Sequence, residues 1–408
     1  MRTLTTAALV AAALGALAQT PCDREDALAA YRDEFLATAT TPAQLAWTGD
    51  AASCDPGAPS ALAVDHALRR INYFRAACGL GPVTVDAEFS RKAQQAALMM
   101  HAEGGNDHYP DTSYACYTEE GREAAGKSNL YTGSWGAHAV AGYVKDPGAN
   151  NGAVGHRRWI LYPPKVRIGL GFTNRADAMW VIGGNDKNAR PENHPGVAWP
   201  PAGHVPAPLV YPRWSFSRKG ADFSGAVVTM TGPEGEAIPL TQNAVNNQFA
   251  DRTLVWEPET NAVVTWGDAD LTYRVRIDNV VEGGEPHSYT YEVIVTAVDA
   301  PTCPTGQSLD ASTCACEEGI PSRTRDRSAD GPTLAYSPAL EAVTLGGSQN
   351  VGAAYQVELY DELGRRAAVG QISDGAPLPV AELRGGFYVA RLRSTGEGDF
   401  VSRVMIAR

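Results

Sequence analysis

Two histidines stand in short polar settings along this chain: His108 in the run NDHYP, and His156 in VGHRRWILYPPKVRIGLGF, where Arg157 and Arg158 follow it directly. Imidazole is the side chain best suited to move a proton near neutral pH or to hold a divalent metal as a neutral ligand. Arginine forks suit carboxylate or phosphate, so Arg157 and Arg158 offer either a local anion site or ion pairs on a helix surface. Taken residue by residue, both histidines also read as structural groups, His156 capping a helix turn or bonding a carbonyl and His108 solvated in a loop. His101 and His138 fall on helical patterns and read as surface or core residues. The chain carries no GxSxG elbow, HExxH pair, GxxxxGK[ST] loop or EF-hand spacing, which removes the common routes to catalysis.

The elements that must position these side chains follow from hydrophobic periodicity. From Ser60, the residues Leu62, Val64, Leu68, Ile71, Phe74 and Cys78 trace one helical face, and Gly79 ends it. A second helix is expected from about Asp86 to Ala102, with Phe89, Ala93, Ala96 and Met100 on its buried stripe. A third runs from Gly136 to Lys145 and is halted by Asp146-Pro147-Gly148. After GHRRWIL come strands at Val166–Phe172 and Ala178–Ile182, separated by turn residues. Helices followed by a short antiparallel sheet predict an α+β fold with an α/β/α sandwich, not a doubly wound parallel sheet.

NYFRAACGLGP at Asn72–Pro82, NDHYP and the GHRRWIL segment together resemble the CAP superfamily of cysteine-rich secretory, antigen 5 and pathogenesis-related proteins, over roughly residues 60 to 185. The resemblance implies a cleft in which His108 and His156 face one another and can hold a divalent metal, commonly zinc. Zinc prefers four ligands, so two histidines give an open site. It also implies structural hydrogen-bonding roles for Asn72, Arg75 and Asn129. Family members add glutamates near the histidines, one in a Glu-Asn pair after a glycine. Here that stretch is Gly126-Lys127-Ser128-Asn129, with serine in place of the acid, and Glu119, Glu120 and Glu123 lie nearby. The ligand cleft expected from the resemblance is thus His108, His156, Asn129 and Ser128.

The rest of the chain sets the context. Arg2, the apolar run Ala7–Leu17 and the small-x-small site ending at Ala18 read as a signal peptide over residues 1–18, so the protein is expected to be exported, with no transmembrane segment in the mature chain. A formal charge of -12 argues against a nucleic-acid partner. Seven cysteines in an exported chain suggest disulfides, expected as Cys22–Cys54, Cys78–Cys116, and Cys303 with Cys314 or Cys316. Residues 19–58 read as an N-terminal helical extension and 59–200 as the CAP-like domain, whose Pro- and Trp-rich end, 190–215, is expected to wrap over the surface. Residues 201–300 read as an immunoglobulin-like β-sandwich built from runs such as GAVVTMTG, AVVTWGD and LTYRVRIDNV, and 301–332 as a disulfide-containing tether. In residues 333–408, ELYDELGRR, LRGGFYVARL and a terminal basic strand resemble the sorting domain of the type IX secretion system. That resemblance implies engagement of the type IX machinery and an extracellular or outer-membrane surface location. The expected function is a non-enzymatic binder of a lipid-like or cell-envelope ligand in the cleft. The alternatives are a metal-dependent hydrolase using His108 and His156, and an adhesion protein binding through the β-sandwich.

Overall fold

The computed structural model describes residues 10–13, 21–191, 194–243, 249–259, 269–299, 302–303, 307–310, 314–318, 333–337, 340–346, 354–360, 366–373, 376–383, 386–394 and 398–406. They fall into two compact units, Met1–Glu318 and Gly319–Arg408. The expected leader lies outside the described residues except for Val10–Ala13, a strand segment parallel to His287–Thr290. The expected strand AVVTWGD also lies outside them. Among the described residues no helix is long and apolar enough to cross a membrane.

In the first unit, helix α1 (Pro21–Ala30) continues into a π-helical turn, Tyr31–Leu36. The turn's Phe35 ring sits 5.8 Å from Phe74 of α2 (Ala61–Ala77), edge to face. Helix α2 begins where Ser60 Oγ accepts the Ala63 N–H. After β1 (Thr84–Val85), the Asp86 carboxylate accepts the N–H groups of Glu88 and Phe89 to open α3 (Ala87–Glu103), which ends at Gly104 with φ +81°. There follow α4 (Glu119–Ala125), β2 (Ser128–Thr132), α5 (Gly136–Lys145), α6 (Gly155–Ile160), β3 (Arg167–Phe172) and β4 (Ala176–Trp180).

These strands form a sheet in the order β1-β3-β4-β2. The sheet is mixed and not antiparallel throughout as expected, because β1 runs parallel to β3. GHRRWI forms α6, and the strand expected after it follows as β3. On one sheet face Leu130, Ala178 and Trp180 pack with Ala93, Ala96 and Met99 of α3. On the other, Leu170, Phe172 and Met179 pack with Ile71, Phe74, Val140 and Tyr143 of α2 and α5. Helix α3 lies unusually close to β3: a Cβ on Gly171 would stand 2.1 Å from the Gln94 nitrogen.

The Pro- and Trp-rich run is part of the β module, and this corrects the surface-wrap expectation. It supplies β5 (Val197–Trp199), β6 (Gly203–Pro206) and β7 (Trp214–Arg218), with Trp199 and Trp214 fully buried. Burying two indoles outweighs the donors lost at the prolines, most of which fall between the strands. With β8 (Val227–Thr231), β9 (Leu240–Gln242), β10 (Arg252–Pro258), β11 (Leu271–Glu282) and β12 (Glu285–Thr296), these form two sheets, β9-β10-β7-β5 and β12-β11-β8, the latter with β6 beside β12. The hairpin β13 (Gln307–Asp310) and β14 (Ala315–Glu318) closes the unit.

Two of the expected disulfide pairings are overturned. Cys22 joins Cys314, because α1 lies beside the end of the β module, and Cys54 joins Cys116, because the loop after α3 folds back on the turn around Ala51. Cys78 is unpaired, its Sγ 3.5 Å from the Ala198 carbonyl. Cys303 joins Cys316.

Among its described residues the second unit holds two sheets. One is β15 (Thr333–Ser337), β16 (Ala342–Gly346) and β19 (Leu378–Pro379) in that order; the other is β18-β17-β20-β21, from β17 (Ala354–Tyr360), β18 (Arg366–Ser373), β20 (Gly386–Ser394) and β21 (Gly398–Ile406). Val343, Tyr355, Val357, Leu359, Ile372 and Leu392 form its core.

Candidate functional site: a histidine-flanked cleft

A cavity of 490 Å³ opens beside β2 and takes its walls from both sides of that strand. Asn106 and His108, on the loop after α3, form one wall. Gly142 and Tyr143 of α5, with Asp146, Pro147, Asn150, Asn151 and His156 beyond it, form the other. Leu130, Tyr131 and Thr132 of β2 form the floor. The two histidines singled out in the sequence therefore share one cleft.

Each ring is held through Nδ1. His108 Nδ1 lies 2.8 Å from the Ala125 carbonyl oxygen, which can only accept, so the proton sits on Nδ1. His156 Nδ1 donates to Asp146 Oδ1 at 2.7 Å. In the neutral form each histidine keeps an Nε2 lone pair, the tautomer that a metal ligand or a hydrogen-bond acceptor requires.

Asp146 organises the far wall. It ends α5 in the left-handed region, φ +51°, and its side chain is fully buried. Oδ2 accepts the His156 backbone N–H at 3.0 Å and thereby caps α6, a helix whose own N-cap, Val154, has no side-chain hydrogen bond. One carboxylate thus fixes both the helix and the ring that it carries.

Behind this wall lies a second buried acid. The Tyr143 hydroxyl donates to Asp177 Oδ1 at 2.9 Å, and Asp177 Oδ2 accepts the Gly136 N–H at 2.8 Å. Burial pushes the Asp177 carboxyl up to about 7, against the pull of those two donors. The Tyr143 ring lies 5.5 Å from the His156 ring, and both line the cleft.

The remaining sequence candidates fall elsewhere. Asn129 acts from behind, its Nδ2 donating to the His156 carbonyl at 3.1 Å. Ser128 does not line the cavity; its Oγ is buried and has no partner among the described residues. Glu120 pairs with Arg91, Glu123 with Lys92 and Lys127, and Glu119 accepts from the Tyr117 hydroxyl, so none of the three reaches the cleft. Asn72 bonds both backbone groups of Val83, and Arg75 donates to the carbonyls of Gly81, Ile160, Tyr162 and Lys165. His138 bonds the Thr40 carbonyl, and His101 packs on Trp47.

Arg157 and Arg158 are neither an anion site nor surface ion pairs. Both are buried: Arg157 donates to the carbonyls of Val144 and Arg213 and to Ser215 Oγ, and Arg158 to the carbonyls of Phe249 and Asp251. A second cavity, of 260 Å³, is lined by Arg190, His194, Arg218 and Lys219, but Asp251 and Glu282 already pair its two arginines.

The cleft residues that sequence reasoning missed are Asp146, Tyr143, Asn106, Asn150 and Asn151. Asp146 carried a signal, since it stands in Asp-Pro-Gly, but that signal reads as a helix stop. Two histidines could supply two of the four ligands that zinc prefers, with Lewis-acid chemistry at the open positions. Among the described residues no group of three or more His, Cys, Asp and Glu side chains is placed to hold a metal.

Residues 68–182 match the family model described as the cysteine-rich secretory protein family, CAP, and this segment contains the whole cleft. No curated protein matches the chain. Among solved structures, the periplasmic chaperone SfaE is similar at 11% identity over 48% of this chain and 90% of that chain, with a TM-score of 0.15. The CupB2 chaperone of Pseudomonas aeruginosa is similar at 10% identity over 52% and 100%, with a TM-score of 0.17. Likenesses of this size bear on neither the fold nor the function. The CAP segment and the three disulfides suit an extracellular setting.

Proposed function

We propose, taking the CAP domain of residues 68–182 as the premise, that this is an exported, non-enzymatic binding protein that takes a cell-envelope ligand in the cleft between His108 and His156. The observation that carries this reading is the cleft itself: both histidines line one cavity, each oriented by a fixed acceptor at Nδ1. The lining mixes Asn106, Thr132, Asn150, Asn151 and two imidazoles with Leu130, Tyr131, Tyr143 and Pro147, which suits an envelope ligand that presents both polar and apolar groups. Export through the leader at residues 1–18, a three-layer CAP architecture, and sorting through residues 333–408 belong to the same proposal. The test is native mass spectrometry of the chain after exposure to envelope extract. A retained organic adduct that is lost in His108→Ala/His156→Ala supports the reading, and no adduct in either form defeats it.

The free Nε2 atoms support a second reading, a divalent metal held by His108 and His156 that polarises a bound water. Zinc titration with the same double variant separates the two. Stoichiometric zinc that is lost in the variant, together with hydrolysis of an envelope substrate, would favour the hydrolase.

A further inference from the structure

The floor of the cleft is the edge of a sheet. In the order β1-β3-β4-β2, strand β2 has a neighbour on one side only. Its antiparallel register pairs Asn129 with Met179 and Tyr131 with Asp177. The Val181 N–H bonds the Lys127 carbonyl and the Gly133 N–H bonds the Arg175 carbonyl, so the odd-numbered residues of β2 exchange hydrogen bonds with β4. The alternation of an antiparallel ladder then turns the N–H and C=O of Leu130 and Thr132 outward, toward the cavity. Among the described residues, nothing outside this sheet bonds those backbone groups.

We propose that the ligand of this cleft is an extended stretch of polypeptide that adds to the free edge of β2 as a further strand. The proposal rests on the reading of the cleft as a binding site and names the class of ligand. Three observations select a peptide. Donor and acceptor alternate along the floor with the two-residue repeat of a strand, about 7 Å, which a partner backbone matches and a sugar does not. The walls add the amides of Asn106, Asn150 and Asn151; with Asn106 Oδ1 accepting from Thr132 and Asn151 Nδ2 donating to the Pro147 carbonyl, they still present both donors and acceptors, as a peptide unit does. The one carboxylate in the lining, Asp146, is already committed to His156, so nothing in the lining calls for a charged ligand. The edge also lies between the two walls of the cavity, which stand in the way of edge-to-edge pairing with the sheet of a second copy.

The test pans a display library of linear seven-residue peptides on the full chain and measures the selected peptide against wild type and variants. Proline at an outward-facing edge position removes one N–H and leaves the ladder to β4 intact, so Thr132→Pro should weaken binding about tenfold, the loss of one hydrogen bond. Thr132→Val, which keeps the N–H and loses only the Oγ1 bond to Asn106, should weaken binding less than Thr132→Pro does. N-methylation along the peptide should weaken binding at alternate residues only. That scan decides the matter even if Thr132→Pro fails to fold. Failure to select any peptide, or a selected peptide indifferent to N-methylation at every position, overturns the inference. In that event an envelope adduct lost in His108→Ala/His156→Ala shows that the cleft binds something other than a strand. Absence of that adduct as well removes the cleft reading itself.

Discussion

Two buried aspartates decide how the cleft behaves, and they do so in opposite ways. Asp146 is an acceptor at work: it holds the His156 ring, the His156 N–H and the start of α6. Removing it in Asp146→Ala strands these donors, and loss of a buried, hydrogen-bonded carboxylate should cost about 3 kcal/mol. Chemical denaturation gives the stability, and NMR of the ring nitrogens should show His156 losing its fixed Nδ1–H tautomer. A variant whose ring keeps that tautomer would mean that another group orients it. Asp177 behaves as a buried acid. Its folded value of about 7 stands above the ordinary aspartate value of 3.8. Between those values the folded chain keeps a proton that the unfolded chain has shed, so stability falls as pH rises through this window, and the penalty is complete above pH 7. Its ceiling is roughly 4 kcal/mol. Urea melts at pH 5 and pH 7.5 should therefore differ more for wild type than for Asp177→Asn, and equal differences would show that Asp177 does not take up a proton on folding.

At the level of elements, the seat of α3 on the sheet is the feature most open to a single change. Gly171 has no φ requirement for glycine; what it provides is the absence of a Cβ where Gln94 and Ala93 backbone atoms approach. Gly171→Ala must push α3 off β3 and should cost 1–3 kcal/mol or more, read as a lower melting temperature. An unchanged melt would mean that the helix moves freely. This close approach also shows where sequence reasoning runs out. The helices Ala61–Ala77, Ala87–Glu103 and Gly136–Lys145 were legible because each carries its own periodic stripe and a local start or stop. Strand β2 was not, since SNLYT buries a serine and an asparagine beside its one aliphatic residue and shows no alternation to read. Helix α6 was read only as a helix turn at His156, because the group that caps it, Asp146, lies ten residues before His156 in the chain. His108 and His156 could be paired by resemblance, whereas Asp146 and the asparagines of the cleft wall belong to the fold of the loops. The cysteines fail for the same reason, since spacing says nothing about which of Cys54, Cys78 or Cys22 a distant thiol will meet.

Beside the smaller cluster under α3, the first unit has one main core that crosses the expected domain boundary, and that changes what counts as a domain. A single buried cluster runs from Ile71, Phe74 and Leu170 of the CAP segment to Trp199, Trp214, Trp256 and Val293 of the β module. The Phe74 ring meets Trp199 at 5.1 Å across the boundary expected at residue 200. Two buried guanidiniums cross it as well: burial pulls Arg157 and Arg158 down to about 10, and both are satisfied largely by carbonyls of the β module, those of Arg213, Phe249 and Asp251. At its N-terminal end Arg24 pairs with Asp270 and bonds the Ala297 carbonyl, while Cys22 is joined to Cys314. Cut at residue 200, the CAP segment would expose Trp199 and leave both arginines buried or half-buried without their acceptors, each at a cost of several kcal/mol. A fragment of residues 59–200 should therefore bind the dye ANS and melt without cooperativity, while residues 21–318 should give one sharp transition by calorimetry. Two separate transitions in the longer fragment, or a cooperative melt of residues 59–200 close to it in temperature, would show that the CAP segment stands alone and that the arginine bridge is incidental. If the single transition holds, any ligand that tightens the cleft must raise the melting temperature of the β module with it, because no boundary in the core allows one to unfold before the other.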